Sequence, residues 1–304
     1  MAAEGQLRYG LPAFAVGEAP MTDPRTLAVD IGGTGVKLAL LDGKGRILGE
    51  SVRVPTPMPP VAPQLLTDTI GRAVAKLGPF DRASVGFPGM VRNGCVLTAP
   101  HLGTEVWAGF DLQKTLSERW QKPVRVMNDA DVQGFGAVKG RGVEMVLTLG
   151  TGAGTALFED GRILPHLELA HHPVHGKKTY DDYVGKAALD RKGAKKWNKR
   201  VERVIDILRR LVNFDHLYIG GGNAKHITFH LPHDVTIVPN SDGLTGGIAL
   251  WRAEPEASTP CGESGKTAAR RKPRPDAAAP SPDGPEQALL LDSARGDPSQ
   301  DAAG

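Results

Sequence analysis

Apolar residues along this chain come in short blocks separated by glycine-rich bends, and the spacing within the blocks switches between two and three-to-four residues. Leu27-Ala28-Val29-Asp30 reads as a strand that ends in a carboxylate and a glycine turn, and Val36-Lys37-Leu38-Ala39-Leu40-Leu41 reads as a second strand. Asp42-Gly43-Lys44-Gly45 has the chemistry of a tight hairpin and leads to a third strand through Arg46-Ile47-Leu48-Gly49, so the start is predicted to be antiparallel. Past the proline-rich stretch 55–63, a helical period covers 65–77, and Ala83-Ser84-Val85-Gly86-Phe87 is a buried strand closed by Pro88-Gly89. A helix near 112–120 precedes the strand Val124-Arg125-Val126-Met127, which runs into Asn128-Asp129-Ala130-Asp131 and another helix. The class is therefore α/β.

The second half repeats the opening. Met145-Val146-Leu147-Thr148-Leu149 is a strand, Gly150-Thr151-Gly152-Ala153-Gly154-Thr155 a glycine-rich turn, and Ala156-Leu157-Phe158 a returning strand with a hairpin at Glu159-Asp160-Gly161. Residues 201–211 are helical by period, His216-Leu217-Tyr218-Ile219 is a strand that delivers Gly220-Gly221-Gly222-Asn223, and a strand at 235–238 precedes a closing helix around 246–251.

Two strand-turn-strand units with small residues at the bend predict two loops facing each other across a cleft, each offering backbone N–H groups to phosphate oxygens. In the first, Gly32, Gly33 and Gly35 allow close approach, Thr34 and Lys37 add phosphate ligands, and Asp30 is placed to hold Mg²⁺ through water. In the second, Gly150, Thr151, Gly152 and Gly154 take the corresponding part. Either loop alone would more often be a structural hairpin; the matched pair reverses that balance in favour of phosphate. No Gly-Lys-Ser or Gly-Lys-Thr follows, which excludes a P-loop.

Asp129, at a strand end, is the candidate general base, with a helix N-cap as its alternative role and Asp131 as a competitor for both. Glu168 and His171 are spaced so that both can turn inward onto vicinal hydroxyls of a sugar ring. Metal binding at His171 and His172 is disfavoured because no third ligand lies at helpful spacing. Lys186, Lys192, Lys195, Lys196, Lys199 and Arg200 concentrate positive charge that suits a long anionic donor or, equally, a solvated helix face.

At 304 residues with a net charge of +3, the chain gives no ground for nucleic acid or an anionic membrane as main partner. Its two cysteines, Cys95 and Cys261, are too few and too scattered for a disulfide framework or a cysteine-based zinc site, which points to a reducing cytoplasm. No stretch approaches the roughly 20 apolar residues of a membrane span. The Pro-, Ala- and Ser-rich composition after about Glu254 reads as disordered, with Arg270-Arg271-Lys272 a solvated charge run.

Taken together, Asp30 to Gly35, Gly86-Phe87-Pro88-Gly89, Asn128-Asp129-Ala130, Leu149 to Gly154, Glu168 to His171 and Gly220 to Gly222 resemble the ROK family of sugar kinases and, within it, the polyphosphate glucokinases. The resemblance covers residues 26–251. It implies the actin-like ATPase fold, a duplicated ribonuclease-H-like sheet forming two lobes around a central cleft. The expected layout is a flexible leader 1–24, lobes 25–127 and 128–252, and a disordered tail 253–304. The resemblance also implies Asp129 as catalytic base, Asn128, Glu168 and His171 on sugar hydroxyls, Mg²⁺ with polyphosphate or ATP as donor, and a homodimer. An ATP donor would place adenine against Gly220, Gly221, Gly222 and the segment that follows. Ala170 stands where the family has glycine, Pro100-His101-Leu102-Gly103 falls where relatives often place a hydroxyl-binding Asn, and no cysteine follows His171, so no structural zinc is expected. A sugar-responsive repressor would need a helix-turn-helix that the leader is too short to supply, and a non-catalytic scaffold would be expected to have lost the base or a loop.

Overall fold

The computed structural model describes residues 23–239, 242–252 and 261. The expected leader, but for its last two residues, and the expected tail with its Arg270-Arg271-Lys272 cluster, but for Cys261, lie outside the described residues.

The chain opens with β1 (Thr26–Ile31), β2 (Gly35–Leu41), β3 (Ile47–Pro55), α1 (Pro63–Val74) and β4 (Arg82–Phe87). A small hairpin, β5 (Val91–Arg92) and β6 (Cys95–Val96), precedes α2 (Thr104–Trp107), α3 (Leu112–Trp120), β7 (Val124–Asn128) and α4 (Asp129–Ala137). Then come β8 (Val143–Leu149), β9 (Ala153–Glu159), β10 (Arg162–Ile163), the pair β11 (Pro173–His175) and β12 (Lys178–Thr179), α5 (Tyr180–Val184), α6 (Lys186–Val212), β13 (His216–Gly220) and β14 (Val235–Ile237). α7 (Asp242–Thr245) and a 3₁₀ turn, Gly246–Trp251, close the described chain.

Two five-stranded sheets share one plan: β3-β2-β1-β4-β7 and β10-β9-β8-β13-β14. In each, the first two strands pair antiparallel and the next two run parallel to the first. The internal echo in the sequence is thus a duplication of topology. Strand alternation sorts side chains between layers: Leu27, Val29 and Ile31 join α1 and α3 in one core, while Ala28 points to the opposite face and meets Leu244 and Ile248. In the second sheet, Met145, Leu147 and Leu149 pack under α5 and α6, while Val146 faces Ala137 of α4. α4 therefore lies between the sheets.

Three elements differ from the sequence expectation. β3 runs on to Pro55 because it is a solvent-facing edge strand whose polar residues hide its extent. α6 begins at Lys186 rather than near 201, its charged first turns being broken at Gly193 (φ 72°). The closing helix at 246–251 is a 3₁₀ turn. That turn crosses back to the first sheet: Ser84 Oγ donates to the Gly247 carbonyl at 2.6 Å, Trp251 Nε1 donates to Ser84 Oγ at 2.9 Å, and the Arg82 and Arg125 guanidiniums stack on Trp251.

The cysteines also depart from expectation, since Cys95 and Cys261 form a disulfide across 166 residues of sequence. Sequence separation hides this because the chain past β14 returns to the first sheet, on which β6 borders. The inference of a reducing compartment rested on unpaired cysteines, and the pairing removes that ground. Among the described residues, no helix is long and apolar enough to cross a membrane.

Buried Gly246 lets the closing turn touch α4, since a Cβ there would meet the Val132 carbonyl oxygen and the Gly136 nitrogen. Because α4 is held between two sheets and cannot recede, Gly246→Val should lower stability by about 2–3 kcal/mol in urea unfolding; a loss under about 0.5 kcal/mol would show the contact to be slack.

Candidate active site

Each sheet delivers one glycine turn to the space between them. In the first, the Gly32 N–H donates to the Gly35 carbonyl at 3.0 Å; in the second, the Gly150 N–H donates to the Gly152 carbonyl at 3.0 Å. A Cβ on Gly33 would sit 3.8 Å from Thr151 Cγ2 and 3.4 Å from His101 Cβ, so the turns do face each other across a narrow gap. Backing holds the second turn in place. Asp181 Oδ1 accepts from the Ala153 N–H at 2.7 Å, Asn223 Nδ2 donates to the Gly150 carbonyl at 2.7 Å, and the Lys186 N–H donates to the Gly150 and Thr151 carbonyls. Gly221 (φ 84°) must be glycine, because its backbone is left-handed and a Cβ would meet the Leu149 backbone.

The cleft has a volume of about 510 Å³. It is lined by Asp30, Gly32, Gly33, Thr34, Gly35 and Lys37 from the first turn and by Gly150, Thr151, Gly152 and Gly154 from the second. Asn128, Asp129, Glu168, His171, Gly221 and Gly222 complete the expected set. Gly220 is absent from the lining: it ends β13, and a Cβ there would point into the Gln133 amide.

At the β7–α4 junction, Asn128 rather than Asp129 is the N-cap. Its Oδ1 accepts from the Ala130 and Asp131 N–H groups at 2.8 and 3.3 Å, and its Nδ2 donates to the Gly89 carbonyl at 3.0 Å. Asp129 is thereby left facing the cleft at the first position of the helix. Burial pushes its carboxyl up to about 8, assisted by the charges of Asp30, Asp131 and Glu168 and opposed by the Ala130 N–H. Burial likewise raises Asp30, against the pull of Lys37, whose Nζ lies 3.3 Å away.

Several cleft residues carry no sequence signal. Asp181 contacts His101 (Nε2 to Oδ2, 3.5 Å), and burial raises its carboxyl. Arg53 projects from edge strand β3, and Lys225 and His226 from the turn after β13. His166, also missed, sits behind the cleft between Asp131 and Glu168. All depend on contacts between segments far apart in the chain. Of the basic group, Lys186 reaches the cleft, Lys192, Lys195, Lys196 and Lys199 are exposed, and Arg200 folds over Tyr183 with its guanidinium 4.7 Å from the ring.

Duplicated sheets of identical strand order that hold paired glycine turns over one cleft define an α/β protein of the actin-like ATPase fold. Residues 26–170 match the ROK family. Polyphosphate glucokinase of Mycobacterium tuberculosis (strain CDC 1551 / Oshkosh) is 30% identical over 240 residues, 75% of this chain and 89% of that protein. The chain belongs to the ROK family. The crystal structure of inorganic polyphosphate/ATP-glucomannokinase from Arthrobacter sp. strain KM matches with a TM-score of 0.68 and 30% identity, over 75% of this chain and 100% of that one. A ROK family glucokinase from Streptomyces griseus, in complex with glucose and AMPPNP, shares the fold with a TM-score of 0.63 at 21% identity, over 74% of this chain and 98% of that one.

A carboxyl raised from 3.8 to about 8 on folding has a definite stability signature. Its contribution is fully present below about pH 4 and is lost as pH rises through about 8, where the folded site must hold an unfavourable charge. Asp129→Asn should therefore melt higher than wild type at pH 9, the gap opening between about pH 4 and 8. A gap that does not change with pH would contradict the raised value.

Proposed function

We propose that the protein transfers a phosphoryl group from polyphosphate or ATP to the primary hydroxyl of a hexose, glucose in the first instance, with Asp129 as general base. The observation that carries this reading is the position of Asp129. Its carboxyl faces the cleft where the two glycine turns converge, it binds a proton up to about pH 8, and Asn128, Glu168 and His171 line the same space. The similarity to a polyphosphate glucokinase and to a polyphosphate/ATP-glucomannokinase supports the substrate class.

In this mechanism the Asp129 carboxylate accepts the hydroxyl proton as the hydroxyl oxygen bonds to phosphorus, and the leaving oxygen departs with the donor. Backbone N–H groups of the two turns hold the phosphate oxygens, with Thr34 and Lys37 beside the first turn. Glu168 and His171 receive sugar hydroxyls, while the Asn128 amide, already bonded to backbone, acts chiefly by fixing the junction. Mg²⁺ held by one carboxylate, water and the donor's own phosphates needs only a single protein ligand. Asp30 suits that part, being a cleft-facing carboxyl that burial raises and that a cation would settle in its charged form. When bound, the ion offsets charge on the transferring group.

Both donors fit the surroundings. Lys186 reaches the cleft and Lys192, Lys195, Lys196 and Lys199 continue a basic surface outward along α6, as a polyanion requires, while Gly221, Gly222 and Asn223 line the side where a nucleotide base would lie.

A coupled glucose 6-phosphate assay with Mg²⁺ and either donor tests the reading, with mannose, fructose and N-acetylglucosamine as alternative acceptors. Asp129→Asn should lose at least about 100-fold in kcat while still binding glucose. In wild type, kcat/KM should climb with pH toward a limb near about 8, because the base works deprotonated. Near-normal turnover of the variant, or no phosphorylation of any sugar by wild type, would overturn the assignment. Replacing Lys192, Lys195, Lys196 and Lys199 together by Ala should raise KM for polyphosphate about 10-fold and leave KM for ATP unchanged; equal effects on both donors would remove α6 as a polyphosphate track.

A further inference from the structure

Glu168 lies in the irregular segment 164–169, with no helix or strand to set its direction. What reaches it from the fold is His166. The imidazole Nδ1 lies 3.0 Å from Asp131 Oδ1 and the Nε2 lies 3.9 Å from Glu168 Oε2, and the ring is only 9% exposed. The Nε2 is buried with no hydrogen-bond partner among the described residues and lies within ion-pair distance of the Glu168 carboxylate. Asp131 in turn belongs to the first turn of α4, where Asn128 accepts its backbone N–H. The far side of the Asp131–His166 pair borders a second cavity of about 860 Å³, so close packing on every side does not account for the ring's placement.

We propose that His166 is a positioning residue for the hexose site: it ties the Glu168 carboxylate to α4 through Asp131, and so sets the hydroxyl-binding group in register with Asp129. This rests on the reading of Glu168 as a hexose ligand. An imidazole enclosed by two carboxylates holds both its protons. Burial opposes the charge, yet the hydrogen bond to Asp131 and the charges of Asp131 and Glu168 prevail and push His166 up to about 10. Reciprocally, although burial raises Glu168, His166 first and then His171 and His101 hold it below the ordinary range. The acidic groups that act on Glu168 across the cleft are Asp129 on α4 and Asp181 on α5, and both oppose its ionisation. Without His166, the balance around Glu168 tips toward protonation, and a protonated, untethered Glu168 is a poorer and less fixed acceptor of sugar hydroxyls.

The test is glucose binding to the full chain by calorimetry, without donor or Mg²⁺, between about pH 5 and 7, below the range in which Asp129 titrates. Wild type, His166→Asn, Glu168→Gln and the double variant are compared. Wild type should bind with nearly constant affinity across the range. His166→Asn should bind about 10-fold more weakly at neutral pH, weaken further toward pH 5, and lose less than about threefold in kcat at saturating glucose. In the Glu168→Gln background the same change should cost nothing more. If His166→Asn does not fold, His166→Gln, which fills more of the ring's space, is measured in its place. Wild-type affinity and pH dependence in the His166 variant, with binding lost in Glu168→Gln, overturns the tether alone. Unimpaired glucose binding by Glu168→Gln overturns the hexose assignment of Glu168 and the tether with it.

Discussion

Both ends of the Asn128 amide are bonded to backbone, and much of the site follows from those bonds. The carbonyl oxygen caps α4 by accepting the Ala130 and Asp131 N–H groups, and the amide nitrogen donates to Gly89 in the loop after the neighbouring strand. The junction between β7 and α4 is thus tied to the loop that follows β4. The next residue, Asp129, faces the cleft, and Asp131 faces the opposite way toward His166. A helix N-terminus ordinarily favours a carboxylate's charge. Here that help is outweighed, because burial and three other acidic groups, Asp30, Asp131 and Glu168, act on Asp129 in the opposite sense. The outcome is a carboxyl that keeps its proton near neutral pH and, once deprotonated, takes one up more strongly than an ordinary aspartate.

The duplicated sheets bring the backbone of two glycine turns to the cleft that Asp129 faces. Each half contributes an antiparallel pair whose bend is mostly glycine, and α4 lies between the halves. Gly134 lets α4 settle against Phe158 of the second sheet, and Gly246 lets the closing turn settle against α4. Loss of side-chain bulk therefore leaves backbone open to the cleft at the turns and lets neighbouring segments approach closely in the middle layer.

Much of this was legible in the sequence because it is local. Strand alternation in Leu27 to Ile31 and in Met145 to Leu149, the two glycine bends, and the Asn128-Asp129 junction each follow from residues a few positions apart, and the repeat of the first pattern in the second half announced the duplication. Where the signal was polar rather than apolar, as along edge strand β3 or the first turns of α6, element length was underestimated. Features that depend on chain return could not be read at all: the Cys95–Cys261 pairing, Asp181 behind the second turn, Gly220 turned away from the cleft, and His166 brought from 35 residues away onto Asp131. In each case the deciding contact joins segments whose sequences bear no mark of one another.

Burial, reinforced by three acidic neighbours, raises the Asp129 carboxyl, and a carbon-13 NMR titration of that group in the free protein measures this directly, with Asp129→Asn supplying the resonance assignment. The expected titration midpoint is about 8. A midpoint near about 4, the value of an ordinary aspartate, would contradict it and leave Asp129 as one more ionised group at a helix start.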